Sequence, residues 1–308
     1  MKKIIILILL IPLANRGQYD HLFSQFMFNE VFINPGYAGS KEALSVTGLH
    51  RQQWMNFPGR PVTTTFSMHG PLFGNKMGLG INFLNEKIGK LNRNLAYLTY
   101  AYRIKTDKKG TLGLGLNIGI HNQINKLSEL KANDAGDIQI SQNTPSLISP
   151  NTGFGLFYNT EKFYTGVSVP RIIDDSYMFD DNSNIQQKIS FNFEKLHYYY
   201  VLGYVFTLNP DLYLKPQGMV KFVQNAPLQY DVNVSMLLKK LIWFGLSYRS
   251  NAAAVGMLGV QATPQLFFGY SYDYGLNEIQ RYSQGSHEIV LNYLFSYKQK
   301  KVISPRFF

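Results

Sequence analysis

Between Thr111 and Ile120 the chain alternates with period two. Leu112, Leu114, Leu116, Ile118 and Ile120 share one side, and Thr111, Gly113, Gly115, Asn117 and Gly119 share the other. Successive strand side chains point to opposite faces, so such a segment has one apolar face and one small, polar face. The rhythm returns at Met77-Leu79-Ile81-Phe83, Ala96-Leu98-Tyr100-Tyr102, Tyr198-Tyr200-Leu202-Tyr204-Phe206, Tyr230-Val232-Val234-Met236 and Ile289-Leu291-Tyr293-Phe295-Tyr297. Many alternating segments of about ten residues, separated by turn residues, are the pattern of an all-β chain closed into a transmembrane antiparallel β-barrel.

The N-terminus agrees with export. Lys2 and Lys3 precede an apolar run from Ile4 to Leu13, long enough for a signal-peptide core and too short to span a bilayer as a helix. Cleavage after Gly17, with Ala14 as the alternative, divides the chain into a signal peptide (1–17), a periplasmic or lumen segment (18–42), an outer-membrane barrel (43–297) and a basic tail (298–308). The 21 Tyr and 22 Phe suit aromatic girdles at two membrane interfaces, and a mean hydropathy of −0.13 fits a wall in which only alternate residues meet lipid. Zero Cys removes disulfides, thiolate metal sites and Cys nucleophiles. The formal charge of +11 falls to +8 without Lys2, Lys3 and Arg16. In an exported protein that charge points to anionic lipid or an acidic partner, and no nucleic acid is expected.

About 14 strands can be placed, near 43–50, 61–69, 76–85, 94–103, 111–121, 152–159, 162–169, 196–207, 211–223, 228–238, 241–249, 255–262, 266–273 and 286–297. Connections after even-numbered strands are short, whereas 51–60, 122–151, 171–195 and 274–285 are long. Bacterial barrels have short periplasmic turns and longer outer loops, so this parity predicts that both termini are periplasmic. The alternation sends Arg103, His197, Lys215, Gln217, Lys221, Asp231, Asn233, Arg249, Asp273, Glu288 and Asn292 to a polar, mixed-sign lumen, either water-filled or packed by an inserted segment.

Few constellations suggest chemistry. Gly113-x-Gly115 misplaces the third glycine of a dinucleotide fingerprint and no helix follows, so strand glycines that relieve crowding are the better reading. The six His residues form no compact metal pattern, and His287-Glu288 point to opposite faces. A lipid hydrolase would need His197 beside a lumen Ser, and nothing local marks one. Asp174-Asp175 and Asp180-Asp181-Asn182 fail the EF-hand spacing and read as a solvated loop. No catalytic residue, metal or cofactor is therefore expected. Arg51-Gln52-Gln53-Trp54 admits two readings: Trp54 in the aromatic belt with Arg51 paired inside the barrel, or a partner contact built from binding-prone residue types. Lys105, Lys108, Lys109, Lys239, Lys240, Lys298, Lys300, Lys301 and Arg306 gather at the side assigned to the periplasm, as a solvated rim or a dock for an acidic partner.

The phrases Phe23-Ser24-Gln25-Phe26-Met27-Phe28-Asn29, Ile33-Asn34-Pro35-Gly36-Tyr37-Ala38-Gly39-Ser40 and His50-Arg51-Gln52-Gln53-Trp54 resemble the opening of the PorP/SprF family. Gly153-Phe154-Gly155-Leu156-Phe157-Tyr158, Trp243-Phe244-Gly245-Leu246-Ser247-Tyr248-Arg249, Gly285-Ser286-His287-Glu288-Ile289 and the final Pro305-Arg306-Phe307-Phe308 continue the likeness. Gln18-Tyr19-Asp20-His21 departs from it, lacking the Pro expected near His21. The resemblance implies a non-enzymatic outer-membrane component of type IX secretion in a Gram-negative bacterium. Such a protein secretes or anchors at the cell surface a cargo with a type IX C-terminal domain, of gliding-adhesin type, beside other secretion components in the periplasm. On that reading the connection 122–151, with Ile138, Ile140, Leu147 and Ile148 as apolar anchors, is the expected cargo contact, Ile138-x-Ile140 being able to add to a partner's sheet edge. The alternative function is a passive porin-type channel.

Overall fold

In the computed structural model, which describes residues 21, 23–41, 43–106, 110–129, 143–179 and 185–295, fourteen antiparallel wall strands close into a barrel. The wall runs β1 (Leu44–Gln52), β2 (Val62–Leu72), β3 (Met77–Ile88), β4 (Leu91–Lys105), β5 (Thr111–Asn125), β6 (Leu147–Asn159) and β7 (Phe163–Val169). After a separate hairpin, β8 (Ile173–Phe179) and β9 (Ile185–Phe191), it resumes with β10 (Tyr198–Tyr204) and β11 (Phe206–Asn209), two halves of one wall strand interrupted at Val205. It ends with β12 (Leu212–Phe222), β13 (Gln229–Leu238), β14 (Ile242–Arg249), β15 (Ala253–Gln261), β16 (Leu266–Gly275) and β17 (Ser286–Phe295). The seam is β1 against β17, in register from Leu44↔Phe295 to Gln52↔His287, and β10 pairs β12 where β11 leaves off.

The alternation fixes the two faces. Leu98, Ile118, Leu156, Val232, Leu246 and Leu291 are exposed on the outside. All eleven residues assigned to the lumen are buried inside. Because one barrel end has only brief turns and the other carries the longer connections, the two are called here the short-turn end and the long-loop end.

Three expectations need correction. The connection 171–195 is not a simple loop, since β8 and β9 pair along its length from Ile173↔Phe191 to Phe179↔Ile185. The connection 122–151 is shorter than expected: Asn122 pairs Ile148 and Gln123 pairs Leu147, so Leu147 and Ile148 are wall residues. The lumen is not purely polar either. Phe157, Tyr164, Leu237, Trp243 and Phe267 turn inward toward the short-turn end and join a buried apolar cluster with Phe23, Phe26, Met27, Val31, Ile33 and Tyr37. Inward apolar side chains are stable there because an internal segment covers them and excludes water.

Candidate functional site

That internal segment, Phe23 to Lys41, fills the lumen as a plug. It is built from two short 3-10 turns (Phe26–Phe28 and Pro35–Tyr37) around α1 (Glu30–Ile33), none long enough to be stable alone. Its order comes from the wall. Phe28 stacks on Phe267 at 4.3 Å and meets the edge of Trp243 at 6.0 Å, while Tyr37 makes edge contacts with Phe157 at 5.1 Å and His69 at 5.3 Å. Asn29 donates to Thr65 Oγ1 (3.1 Å) and accepts from Ser67 Oγ (3.0 Å). Glu30 is buried within the electrostatic reach of Lys215, Lys41 and Tyr164.

Near the long-loop end the plug is held by a charged clasp. Glu288 accepts the backbone N–H groups of Ser24 (2.9 Å) and Gln25 (2.7 Å), and Asp273 accepts the Ser24 hydroxyl (2.6 Å). Arg51 ties these acids together, donating to Asp273 Oδ2 (2.7 Å), Glu288 Oε2 (3.2 Å) and Ser24 Oγ (2.8 Å). Arg249 pairs with Asp231 (2.8 Å) and donates to the Phe23 carbonyl (2.8 Å). Three carboxylates face two guanidiniums and several plug dipoles, which satisfies the requirement that buried charges be paired.

Deeper in the lumen the plug lies on a floor of glycine. Asn34 Nδ2 donates to the carbonyls of Leu156 (2.9 Å) and Val167 (3.3 Å), and Ser168 Oγ donates to the Ile33 carbonyl (2.7 Å). A Cβ on Gly113 would strike the Gly36 carbonyl, one on Gly115 the Gly36 amide and Pro35, and one on Gly155 the Asn34 side chain. The inward glycines of β5 and β6 thus admit the backbone of Asn34-Pro35-Gly36.

The plug enters from the long-loop side. His21 meets Glu86 at 3.0 Å and Ser24 sits in the clasp, whereas Gly39 donates to His69 (3.1 Å) and lies against Gly78 beside the short-turn start of β1. The first described residues and Phe295 are therefore at opposite ends of the barrel, and the expected periplasmic placement of both termini concerns segments that lie outside the described residues. A cavity of about 40 Å³ remains beside His21, Phe23 and Phe32.

The residues singled out from sequence fall in two sectors. Arg51 is the centre of the clasp, the paired reading of that residue. Gln52 is half-buried next to His50 (3.1 Å), Gln53 N–H donates to the Pro61 carbonyl (2.9 Å), and Trp54 takes φ +50° with its N–H donating to Ser286 Oγ (3.1 Å). Leu147 and Ile148 stand on β6, separated from that rim by β2 to β5, with Ile148 59% exposed. Ile138, Ile140, Lys108, Lys109, Lys298, Lys300, Lys301, Arg306 and the segments 1–17 and 298–308 lie outside the described residues. At the exposed rim beside β4, hydrogen bonds from Lys90 (2.6 Å) and Lys126 hold the Glu129 carboxyl below the usual carboxylate range. Sequence reasoning placed Asp273 and Glu288 inside but missed their partners Ser24 and Gln25. Acids facing inward on several late strands, with no basic neighbour on the same strand, were the available signal.

Comparison with known proteins gives one family. The model described as "Type IX secretion system membrane protein PorP/SprF" matches residues 15–293. No curated protein matches in sequence. Among solved structures, the TodX monoaromatic hydrocarbon channel, as its deltaS2 mutant, aligns with TM-score 0.51 at 8% identity over 88% of this chain and 94% of that one. The CymD monoaromatic hydrocarbon channel aligns with TM-score 0.50 at 10% identity over 92% and 96%. The Acinetobacter baumannii outer membrane protein Omp33 aligns with TM-score 0.47 at 10% identity over 83% and 98%. At these identities the likeness to TodX and CymD is one of fold.

Proposed function

Because the chain belongs to the PorP/SprF family of type IX secretion system membrane proteins, we propose that this outer-membrane barrel works as a plugged, non-enzymatic platform that secretes or anchors a cargo protein at the cell surface. The cargo carries a type IX C-terminal domain and is of gliding-adhesin type. The barrel stands with its long-loop end outside and the ends of β1 and β17 in the periplasm, where basic turns and the tail meet other secretion components. Residues 1–17 are its signal peptide.

The observation that carries this reading is the filled lumen. Among the described residues, a segment fixed by two arginines, three carboxylates and a glycine floor occupies the lumen, which supports a role for binding surface at the mouth. The same filling weighs against the passive-channel alternative. Two outer sectors are candidates for docking: the rim at Gln52, Gln53 and Trp54, and the sector of Leu147, Ile148 and the adjoining connection with Ile138 and Ile140. The hairpin β8–β9 beside the second sector exposes Ile189 and Phe191, and Phe193 in the turn that follows is exposed as well. Its base is clamped by Asn151 Nδ2 donating to the Ile173 carbonyl (2.7 Å). Strand edges of this kind accept an extended partner segment.

Removing residues 130–142 is expected to abolish cargo co-purification without lowering barrel abundance. Co-purification at wild-type yield would move docking to the Gln52–Trp54 rim. A stable open pore from the purified wild-type barrel in planar bilayers would overturn the plugged-platform reading itself.

A further inference from the structure

The outer face of β2 to β5 carries a recess that the plug does not use and that meets the docking sectors only at Asn122, which pairs Ile148 and donates to Ser146 Oγ (2.7 Å). In register across these strands, Phe66 pairs Phe83, Phe83 pairs Ala96, and Ala96 pairs Ile120. Ala96 is the one small member of this apolar row, and the gap it leaves opens a recess of about 320 Å³. That is the lower end of the ~300–1,000 Å³ of small-molecule sites. Two residues further along each strand, toward the long-loop end, the row becomes amides: Asn85 pairs Asn94, and Asn94 pairs Asn122. Asn85 Nδ2 donates to Asn94 Oδ1 and to Asn92 Oδ1, both at 2.8 Å. Two residues further again stands Lys87, exposed and on the same face of β3 as Phe83 and Asn85.

The depth of this stack is set by strand length. β4 has 15 residues, longer than the roughly 9–11 that cross a bilayer at the usual tilt. A hydrocarbon layer that starts at its short-turn end at Lys105 and spans about ten residues would end at Ala96, with the amides at the acyl–headgroup junction and Lys87 among headgroups. Apolar groove, hydrogen-bonding amides and cation thus succeed one another in the order that a lipid presents acyl chain, junction and phosphate.

We infer that the recess at Ala96 binds one acyl chain of a phosphorylated outer-leaflet glycolipid, with Asn85, Asn94 and Asn122 facing its acyl junction and Lys87 its phosphate. The assignment to the outer leaflet rests on the proposed outward placement of the long-loop end. The recess is continuous with the lipid-facing wall, which selects a bilayer lipid over a soluble ligand.

The test is native mass spectrometry of the full-length barrel, delipidated in detergent and offered lipid A or phosphatidylethanolamine. Wild type is expected to hold lipid A. Ala96→Phe, which fills the gap, and the double variant Asn85→Leu/Asn94→Leu are expected to lose it while keeping heat-modifiable migration on gels. Lys87→Gln is expected to weaken lipid A but not its dephosphorylated form. Retention of lipid A by Ala96→Phe, or equal occupancy by phosphatidylethanolamine, would overturn the assignment. Cargo co-purification on the same variants is expected to be unchanged, so the glycolipid site and the docking role fail separately.

Discussion

Glu288 accepts the backbone amide of Gln25 at 2.7 Å, joining residues 263 positions apart in the chain. The acid is fully buried and also receives Ser24 N–H and Arg51. Glu288→Gln keeps the side-chain shape but removes the charge that Arg51 and two amides share. Breaking a buried pair in this way costs about 3–5 kcal/mol. A lowered unfolding midpoint, protease cleavage within 23–41 and channel openings in bilayers are expected together. Wild-type behaviour in all three would show that the clasp does not seat the plug.

The glycine floor makes a sharper contrast. A Cβ on Gly115 meets the plug backbone at Gly36 and Pro35, whereas a Cβ on Gly256 meets nothing within 4 Å. Gly115→Ala is expected to destabilise by about 1–3 kcal/mol through overpacking and to unseat Asn34–Gly36, with Gly256→Ala neutral. Thermal melts of the two purified barrels, with conductance as the second readout, distinguish them.

The hairpin between β13 and β14 carries strain. Lys239 and Lys240 both take positive φ, 50° and 56°, in a two-residue turn closed by Leu241 N–H donating to the Leu238 carbonyl at 2.9 Å. Left-handed backbone disfavours lysine by roughly 1–2 kcal/mol per residue, and Asn-Gly is the preferred pair for such a turn. Lys239→Asn/Lys240→Gly is expected to raise the unfolding midpoint by an amount corresponding to about 1 kcal/mol or more. If the retained lysines serve a periplasmic partner, pull-down of secretion components should fall as stability rises.

The seam pairs Leu44 with Phe295 among the described residues. Deleting 299–308 is expected to leave a heat-modifiable barrel in the outer membrane and to weaken association with periplasmic components. Loss of the barrel band would make the terminal Phe308 part of the insertion signal instead.

Period-two alternation made the wall legible, because each strand meets lipid on one face and the interior on the other. Residues such as Lys215, Asp231 and Glu288 could therefore be turned inward correctly from sequence. The plug was not legible in the same way. Phe23 to Lys41 has no sustained period, and its contacts, Gly36 on Gly115 or Ser24 on Glu288, join segments far apart in the chain. Gly113-x-Gly115 relieves crowding, as its small residues suggest, and what approaches it is the backbone of Gly36 in the plug. Ile148 falls in a connection on the sequence reading, but its partner on β5 is 26 residues away in the chain, and the pairing with Asn122 puts it on the wall.

The clasp draws Arg51 from the first wall strand, Asp273 and Glu288 from the last two, and Ser24 from ahead of them all. No shorter portion of the chain contains the whole set. The last strand thus serves twice, pairing β1 to close the wall and supplying the carboxylate that holds the start of the plug. A chain that stops before Glu288 would keep the glycine floor and the Arg249 contact but lack both the strand that closes the wall against β1 and the carboxylate that receives Ser24 and Gln25.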